Sequence, residues 1–111
     1  MLKVMKNKIV NKKELQDLLN SRNFLWSYNI SNGNILSDEI IIEKSLLHLE
    51  FEELPMLFSL YNFNYIKKIW RENIVSQGEY YNIINWLLAV LFFNIQNPDK
   101  YLKRYGKPRK F

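Results

Sequence analysis

Apolar positions recur along most of the chain at the three- and four-residue spacing of amphipathic helices. Asn11 followed by Glu14 is a capping box, which predicts a first helix over residues 12–21. Ser37 is a suitable N-cap for a second helix over about 38–49, because its hydroxyl can accept from a first-turn amide. The apolar stripes of these two helices contain Leu15, Leu18 and Leu19 in the first, and Ile41, Ile42, Ser45, Leu46 and Leu49 in the second.

Four further helices are predicted, over about 52–61, 65–73 and 77–95 and from residue 98 until Gly106. Their starts are marked by first-turn prolines or by capping residues, namely Pro55, Asn64, Ser76 with Glu79, and Asn97 with Pro98. Six helices with short connections and no alternating apolar–polar segment predict an all-α fold, a single compact bundle of about five to six short helices. The third and fourth helices, joined at residues 62–64, form a candidate helix-turn-helix pair.

The fifth predicted helix is apolar nearly all round, since Asn82 and Asn85 are its only polar residues between Tyr80 and Phe93. Such a helix either runs through the middle of a bundle or buries its second face against another protein. The residues expected to face the core are Ile83, Ile84, Leu87, Leu88 and Leu91. The opposite arc contains Asn82, Asn85, Trp86, Ala89 and Phe93. We predict that Trp86 and Phe93 are anchors for a partner. The alternative is that both aromatics lie in the core beneath the terminal helices.

Composition is that of a small globular protein, and charge is strongly segregated along the chain. It has 111 residues, 48% hydrophobic and 24% charged, and no cysteine, which excludes a disulfide scaffold and a thiolate metal site. We expect a basic N-terminal segment over residues 1–10, which can be flexible, a helical domain over 11–105 and a basic tail over 106–111. The formal charge is +5 over residues 1–13, −6 over 14–66 and +6 over 67–111. Two opposite fields on one small protein favour a protein partner with a complementary surface.

The chain has little of the chemistry that an enzyme requires. His48 is the only histidine, and the glutamates near it do not make the three or four converging ligands of a metal site. No glycine-rich phosphate loop or Ser/His/Asp arrangement accompanies it. We therefore expect a protein that is not an enzyme, with no catalytic residue, metal or cofactor. The longest apolar run, Trp86 to Phe93, is far shorter than the ~20 residues of a membrane span, so we expect a cytoplasmic protein without a membrane partner.

Two groups of charged residues are the candidate binding residues. The acidic middle can meet a positive site on a protein partner through Glu39, Glu43, Glu50, Glu52 and Glu53. The basic end can neutralise phosphates, if DNA is the partner, through Lys67, Lys68, Arg71, Lys100, Lys103, Arg104, Lys107, Arg109 and Lys110. On the fourth helix only Asn64 and Arg71 have side chains suited to reading bases, which makes DNA the weaker interpretation. A simpler alternative is that the lysines and arginines near the chain ends only keep the protein soluble.

From Phe24 to about Phe93 the order of features resembles that of a family of small helical bacterial proteins. The family pattern has a Leu-Phe-Trp-Asp-like opening, an Ile-Ile-Glu-Arg-Val-Leu-like helix, a Trp-Leu-x-x-x-Tyr-Gly helix, an Ile-Arg-Glu helix and an Asn-Phe-Trp-like start to a final apolar helix. The corresponding segments here are Phe24-Leu25-Trp26-Ser27, Ile41-Ile42-Glu43-Lys44-Ser45-Leu46, Leu57-Phe58-Ser59-Leu60-Tyr61-Asn62, Ile66-Lys67-Lys68-Ile69 and Ile84-Asn85-Trp86-Leu87. Ser27 stands where the family favours an acid. Asn62 stands where it favours glycine, whose left-handed conformation asparagine tolerates.

Proteins of this family are commonly encoded beside nucleotidyltransferases of the abortive-infection (AbiEii-like) toxin type. The resemblance implies an antitoxin-like protein that neutralises such a toxin by protein–protein contact. Because a toxin of this type handles nucleotides and RNA, an acidic inhibitor can occupy its positive active-site mouth as a nucleic-acid mimic. The alternatives are a DNA-binding transcriptional regulator and a phage-encoded inhibitor of a host defence nuclease.

Overall fold

Local capping interactions begin α-helices where the sequence predicts them. In the computed structural model, which describes residues 11–28 and 34–106, the side chains of Asn11, Ser37 and Asn97 each accept from a backbone amide three residues on, at 2.9, 3.3 and 3.1 Å. The α-helices of the described residues are α1 (Lys12–Ser21), α2 (Asp38–His48), α3 (Leu54–Leu60), α4 (Phe63–Ile69), α5 (Asn82–Leu91) and α6 (Pro98–Tyr105). These residues contain no strand, and the all-α prediction is confirmed.

The chain divides into two compact units at a point within α4. The first unit ends at Ile66 and the second begins at Lys67, whereas the sequence predicts one helical domain over residues 11–105. The acidic middle of the sequence lies in the first unit, and the basic residues from Lys67 onward lie in the second. The predicted N-terminal segment 1–10 and the tail beyond Gly106 lie outside the described residues.

The first unit buries most of the apolar stripes that the sequence assigns to its helices, although Leu18 is only half-buried. The buried side chains include Leu15 and Leu19 of α1, Ile41, Ile42 and Leu46 of α2, and Leu54 and Leu57 of α3. α2 packs against both α1 and α3. The buried amide of Gln16 holds the segment before α2, because its Nε2 donates to the Asn34 carbonyl at 2.8 Å and its Oε1 accepts from the Leu36 amide at 2.7 Å. These two bonds fix the approach of the chain to α2.

Two of the predicted caps are wrong. The side chain of Asn62, and not that of Asn64, accepts from the first amides of α4, at 2.8 Å from the Asn64 nitrogen and 3.3 Å from the Tyr65 nitrogen. α4 therefore begins at Phe63. The Ser76 hydroxyl donates backward to the Glu72 carbonyl, so it is part of the preceding helical turn and does not open a new helix.

The chain between α4 and α5 departs from regular α-helix. It continues as a π-helical segment, Trp70–Ile74, and then as a 3₁₀ segment, Val75–Tyr81. Within the second segment Gly78 has a φ of 84°, a conformation that glycine adopts at little cost. The first residues of the helix predicted over 77–95 therefore belong to the 3₁₀ segment, and α5 covers only Asn82–Leu91.

Trp70 is the centre of the second unit. The residue is fully buried, and its Nε1 donates to the Asn85 side-chain oxygen at 2.9 Å. Its ring stacks on Phe93, with centroids 4.5 Å apart, and on Tyr101, with centroids 5.6 Å apart. The indole thus connects the π-helical segment to α5 and α6, which also pack on each other.

Candidate protein-binding surface

α5 exposes a row of large apolar side chains to solvent. Ile83 is 77% exposed, Trp86 41%, Val90 40% and Leu91 58%, and Tyr80 just before the helix is 82% exposed. At about 100° per residue the four positions on α5 span an arc of roughly 140° on one side of the helix. We call these five residues the α5 face. A continuous apolar surface of this kind is typical of a site that binds another protein.

The side of α5 that the sequence predicts to face the core is wrong. It differs from the buried side by a rotation of about 100° around the helix axis, the angle between successive residues. The sequence predicts burial of Ile83, Ile84, Leu87, Leu88 and Leu91. The buried residues of the helix are instead Asn85, Leu88 and Ala89. A buried amide without a partner costs about 1–3 kcal/mol, and the Trp70 indole supplies that partner from fifteen residues away. Asn85 therefore turns inward, and Ile83 and Leu91 turn outward.

Of the two predicted aromatic anchors, only Trp86 lies on the α5 face. Phe93 is 2% exposed because its ring stacks on that of Trp70, so the prediction that Phe93 anchors a partner is wrong. Seven residues beyond Trp86, Phe93 would share its face if the helix continued, but α5 ends at Leu91. The chain then turns back through Asn94, which has a φ of 55°, and the Phe93 ring lies in the core of the second unit.

The five glutamates predicted to meet a positive partner lie in the first unit, on α2 and before α3. Glu39, Glu50 and Glu52 are exposed, and Glu43 is half-buried. The Glu53 carboxylate instead accepts two hydrogen bonds from the Arg22 guanidinium, at 2.8 and 2.7 Å, and these bonds lower its pKa. Glu53 also accepts from the Glu50 amide at 2.9 Å. Glu53 therefore ties the start of α3 to the end of α1, and Glu50 and Glu52 best represent the acidic surface.

The predicted phosphate-binding residues form two groups in the second unit. Three of them are exposed to solvent, namely Lys68, Lys100 and Lys103. Three others lie over tyrosine rings of α6, namely Lys67, Arg71 and Arg104. The remaining three, Lys107, Arg109 and Lys110, lie outside the described residues. The candidate helix-turn-helix pair is built from short helices, since α3 and α4 have seven residues each.

His48 packs on an aromatic ring at the end of α2. Its imidazole stacks on Phe24 with ring centroids 4.4 Å apart, and burial, with a smaller effect of the Lys44 charge, lowers its pKa. Over residues 11–28 and 34–106, no three histidines or carboxylates come together in a group that could hold a metal ion. No helix in the same part of the chain has the length and apolar character needed to cross a membrane.

Comparison with known proteins does not assign a function. No protein-family model, curated protein or solved structure matches the chain. The functional interpretation therefore depends on the surfaces of the molecule and on the resemblance of its motifs. Among these surfaces the α5 face has the strongest physical reason to bind a partner.

Proposed function

We propose that this chain is a protein-binding protein whose α5 face docks a partner protein. The observation that carries the proposal is the exposure of Ile83 and Trp86 on one side of a helix whose other side is buried. Tryptophan is enriched among the few interface residues that contribute most of the binding energy. Trp86 lies between Ile83 and Val90 along the α5 face, and its apolar neighbours can exclude water from the contact.

We further propose that the partner is a nucleotidyltransferase-type toxin and that binding neutralises it. The motif resemblance supports this class of partner. The exposed carboxylates of Glu50 and Glu52 also support it, since an active site that handles nucleotides is positively charged. An antitoxin of this kind acts by stoichiometric contact and needs no catalytic group of its own. A phage-encoded inhibitor of a host defence nuclease would use the same two surfaces on a different partner.

Co-expression with a nucleotidyltransferase encoded beside this chain tests the proposal. The tagged wild-type chain should retain the toxin through purification, and Ile83→Asp should lose it because the new carboxylate would be buried unpaired at the interface. Ile35→Asp is the matched control, since Ile35 is an exposed isoleucine of the first unit, and this variant should retain the toxin. Equal retention by both variants would contradict docking through the α5 face. Recovery of a defence nuclease instead would support the phage-inhibitor alternative.

A further inference from the structure

Basic side chains of the second unit converge on two tyrosines of α6. Tyr101 and Tyr105 lie one turn apart, with ring centroids 4.6 Å apart. The guanidinium groups of Arg71 and Arg104 lie 5.5 and 5.7 Å from the Tyr105 centroid, and the Lys67 amine lies 6.0 Å from the Tyr101 centroid. Arg71 also donates to the Tyr101 hydroxyl at 3.5 Å. We call these five residues the tyrosine–cation cluster.

The tyrosine–cation cluster has a rigid support and an open outer side. The Tyr101 ring stacks on the fully buried ring of Trp70, with an interplanar angle of 10°. Cation–π contacts hold the long basic side chains in place, so less side-chain entropy is lost when an anion binds. Tyr105 is 38% exposed at the outer end of the cluster, and Arg104 beside it is also exposed.

Between the described residues of the second unit, 67–106, the structure shows no ion pair that would neutralise its positive charge. The ion pairs between described residues join Lys12 to Asp38, Lys13 to Asp17 and Arg22 to Glu53, and all of these residues belong to the first unit. Residues 67–106 contain six lysines and arginines against three acids. Three of the six, Lys100, Lys103 and Arg104, are exposed on the helix that carries both tyrosines. This concentration of unpaired cations favours a ligand with several negative charges.

We propose that the tyrosine–cation cluster binds single-stranded nucleic acid. A single strand presents phosphates to the cations and unpaired bases that stack on aromatic rings or on guanidinium planes. A duplex keeps its bases stacked internally and offers only phosphates and groove edges, which leaves the tyrosine rings without a role. The site lies on α4, its π-helical continuation and α6, apart from the α5 face. A test can therefore find nucleic-acid binding without protein docking, or protein docking without nucleic-acid binding.

Fluorescence anisotropy with labelled oligonucleotides of about 16 nucleotides tests this proposal. At ~50 mM salt the full chain should bind oligo-dT or oligo-U saturably, at least about tenfold more tightly than a duplex of the same length. The affinity should fall with salt at a log–log slope near −0.7 for each phosphate neutralised. Comparison of the dT and U probes shows whether DNA or RNA is preferred. No binding of either strand, or equal binding of the duplex, would overturn the proposal.

Paired variants separate the tyrosine–cation cluster from general positive charge. Lys67→Ala should weaken single-strand binding at least about fivefold. Lys44→Ala, which removes a lysine 5.8 Å from the Tyr28 ring in the first unit, should bind as wild type. Tyr105→Leu should also weaken binding at least about fivefold through lost base stacking, while Tyr105→Phe keeps the ring and should not. Equal affinities within either pair, with circular dichroism showing folded variants, would overturn the proposal.

Discussion

Replacing Trp70 by phenylalanine tests whether one hydrogen bond sets the rotation of α5. The substitution keeps an aromatic ring against Phe93 and Tyr101 but removes the N–H from which the Asn85 oxygen accepts at 2.9 Å. Because Asn85 is only 2% exposed, water does not readily replace the lost donor. An unpaired buried acceptor costs about 1–3 kcal/mol, and the cavity left by the smaller ring adds about 1 kcal/mol. We expect the free energy of unfolding to fall by about 2–4 kcal/mol.

Urea denaturation followed by far-ultraviolet circular dichroism measures this loss. Trp26→Phe is the matched control, because Trp26 is 82% exposed, and it should change stability by no more than about 0.5 kcal/mol. In the Trp70→Phe background, Asn85→Ala should cost less than it does in wild type, with a coupling energy of about 0.5–3 kcal/mol. The reasoning is refuted if Trp70→Phe is as mild as Trp26→Phe, or if the two losses simply add.

Three further predictions concern the Arg22–Glu53 pair, the acidic surface and the end of α6. Because Arg22 holds the pKa of Glu53 below its ordinary value, this stabilisation is complete above the ordinary carboxyl pKa and is lost as the pH falls through the lower folded-state value. Glu53→Gln should therefore flatten the loss of stability as the pH falls below the ordinary carboxyl pKa in acid denaturation, and an unchanged pH dependence would contradict this role of the pair. Reversing the charge of both Glu50 and Glu52 should slow association with the proposed toxin partner in stopped-flow experiments and flatten its salt dependence; unchanged kinetics at low salt would exclude acidic docking. Gly106→Ala would place its Cβ 2.8 Å from the Leu102 carbonyl oxygen and 3.2 Å from that of Val75. It should lower stability in urea by about 1–3 kcal/mol, and an unchanged midpoint would show that the end of α6 can shift.

The predictable helices are those whose start depends on nearby residues. Asn11, Ser37 and Asn97 act on amides three residues away, so local spacing alone identifies them. The path from Trp70 to Tyr81 is different, because a π-helical and a 3₁₀ segment carry no periodic signal in the sequence. The helix predicted over 77–95 is therefore too long at its N-terminal end, and it is also too long at its C-terminal end, since α5 ends at Leu91.

The candidate binding surface was predictable only in part. The apolar character of α5 on all sides leaves open whether Trp86 lies in the core or on the surface, and the structure exposes it by 41%. The side of α5 that lies inside depends on the bond between Trp70 and Asn85, which no local pattern reveals. The sequence does carry a signal for the burial of Phe93, because Asn94 readily adopts a left-handed conformation and marks the turn after α5.

The most direct test of the α5 face compares Trp86→Ala with Trp26→Ala in calorimetric titrations against the proposed nucleotidyltransferase partner. We predict that Trp86→Ala weakens the complex by at least about 2 kcal/mol, or roughly 30-fold, and leaves the thermal midpoint of the free protein nearly unchanged. Trp26→Ala should alter neither quantity. The account is contradicted if Trp86→Ala binds as tightly as wild type. It is equally contradicted if Trp86→Ala destabilises the free protein as much as Leu88→Ala, which truncates a fully buried side chain at a cost of about 2–5 kcal/mol.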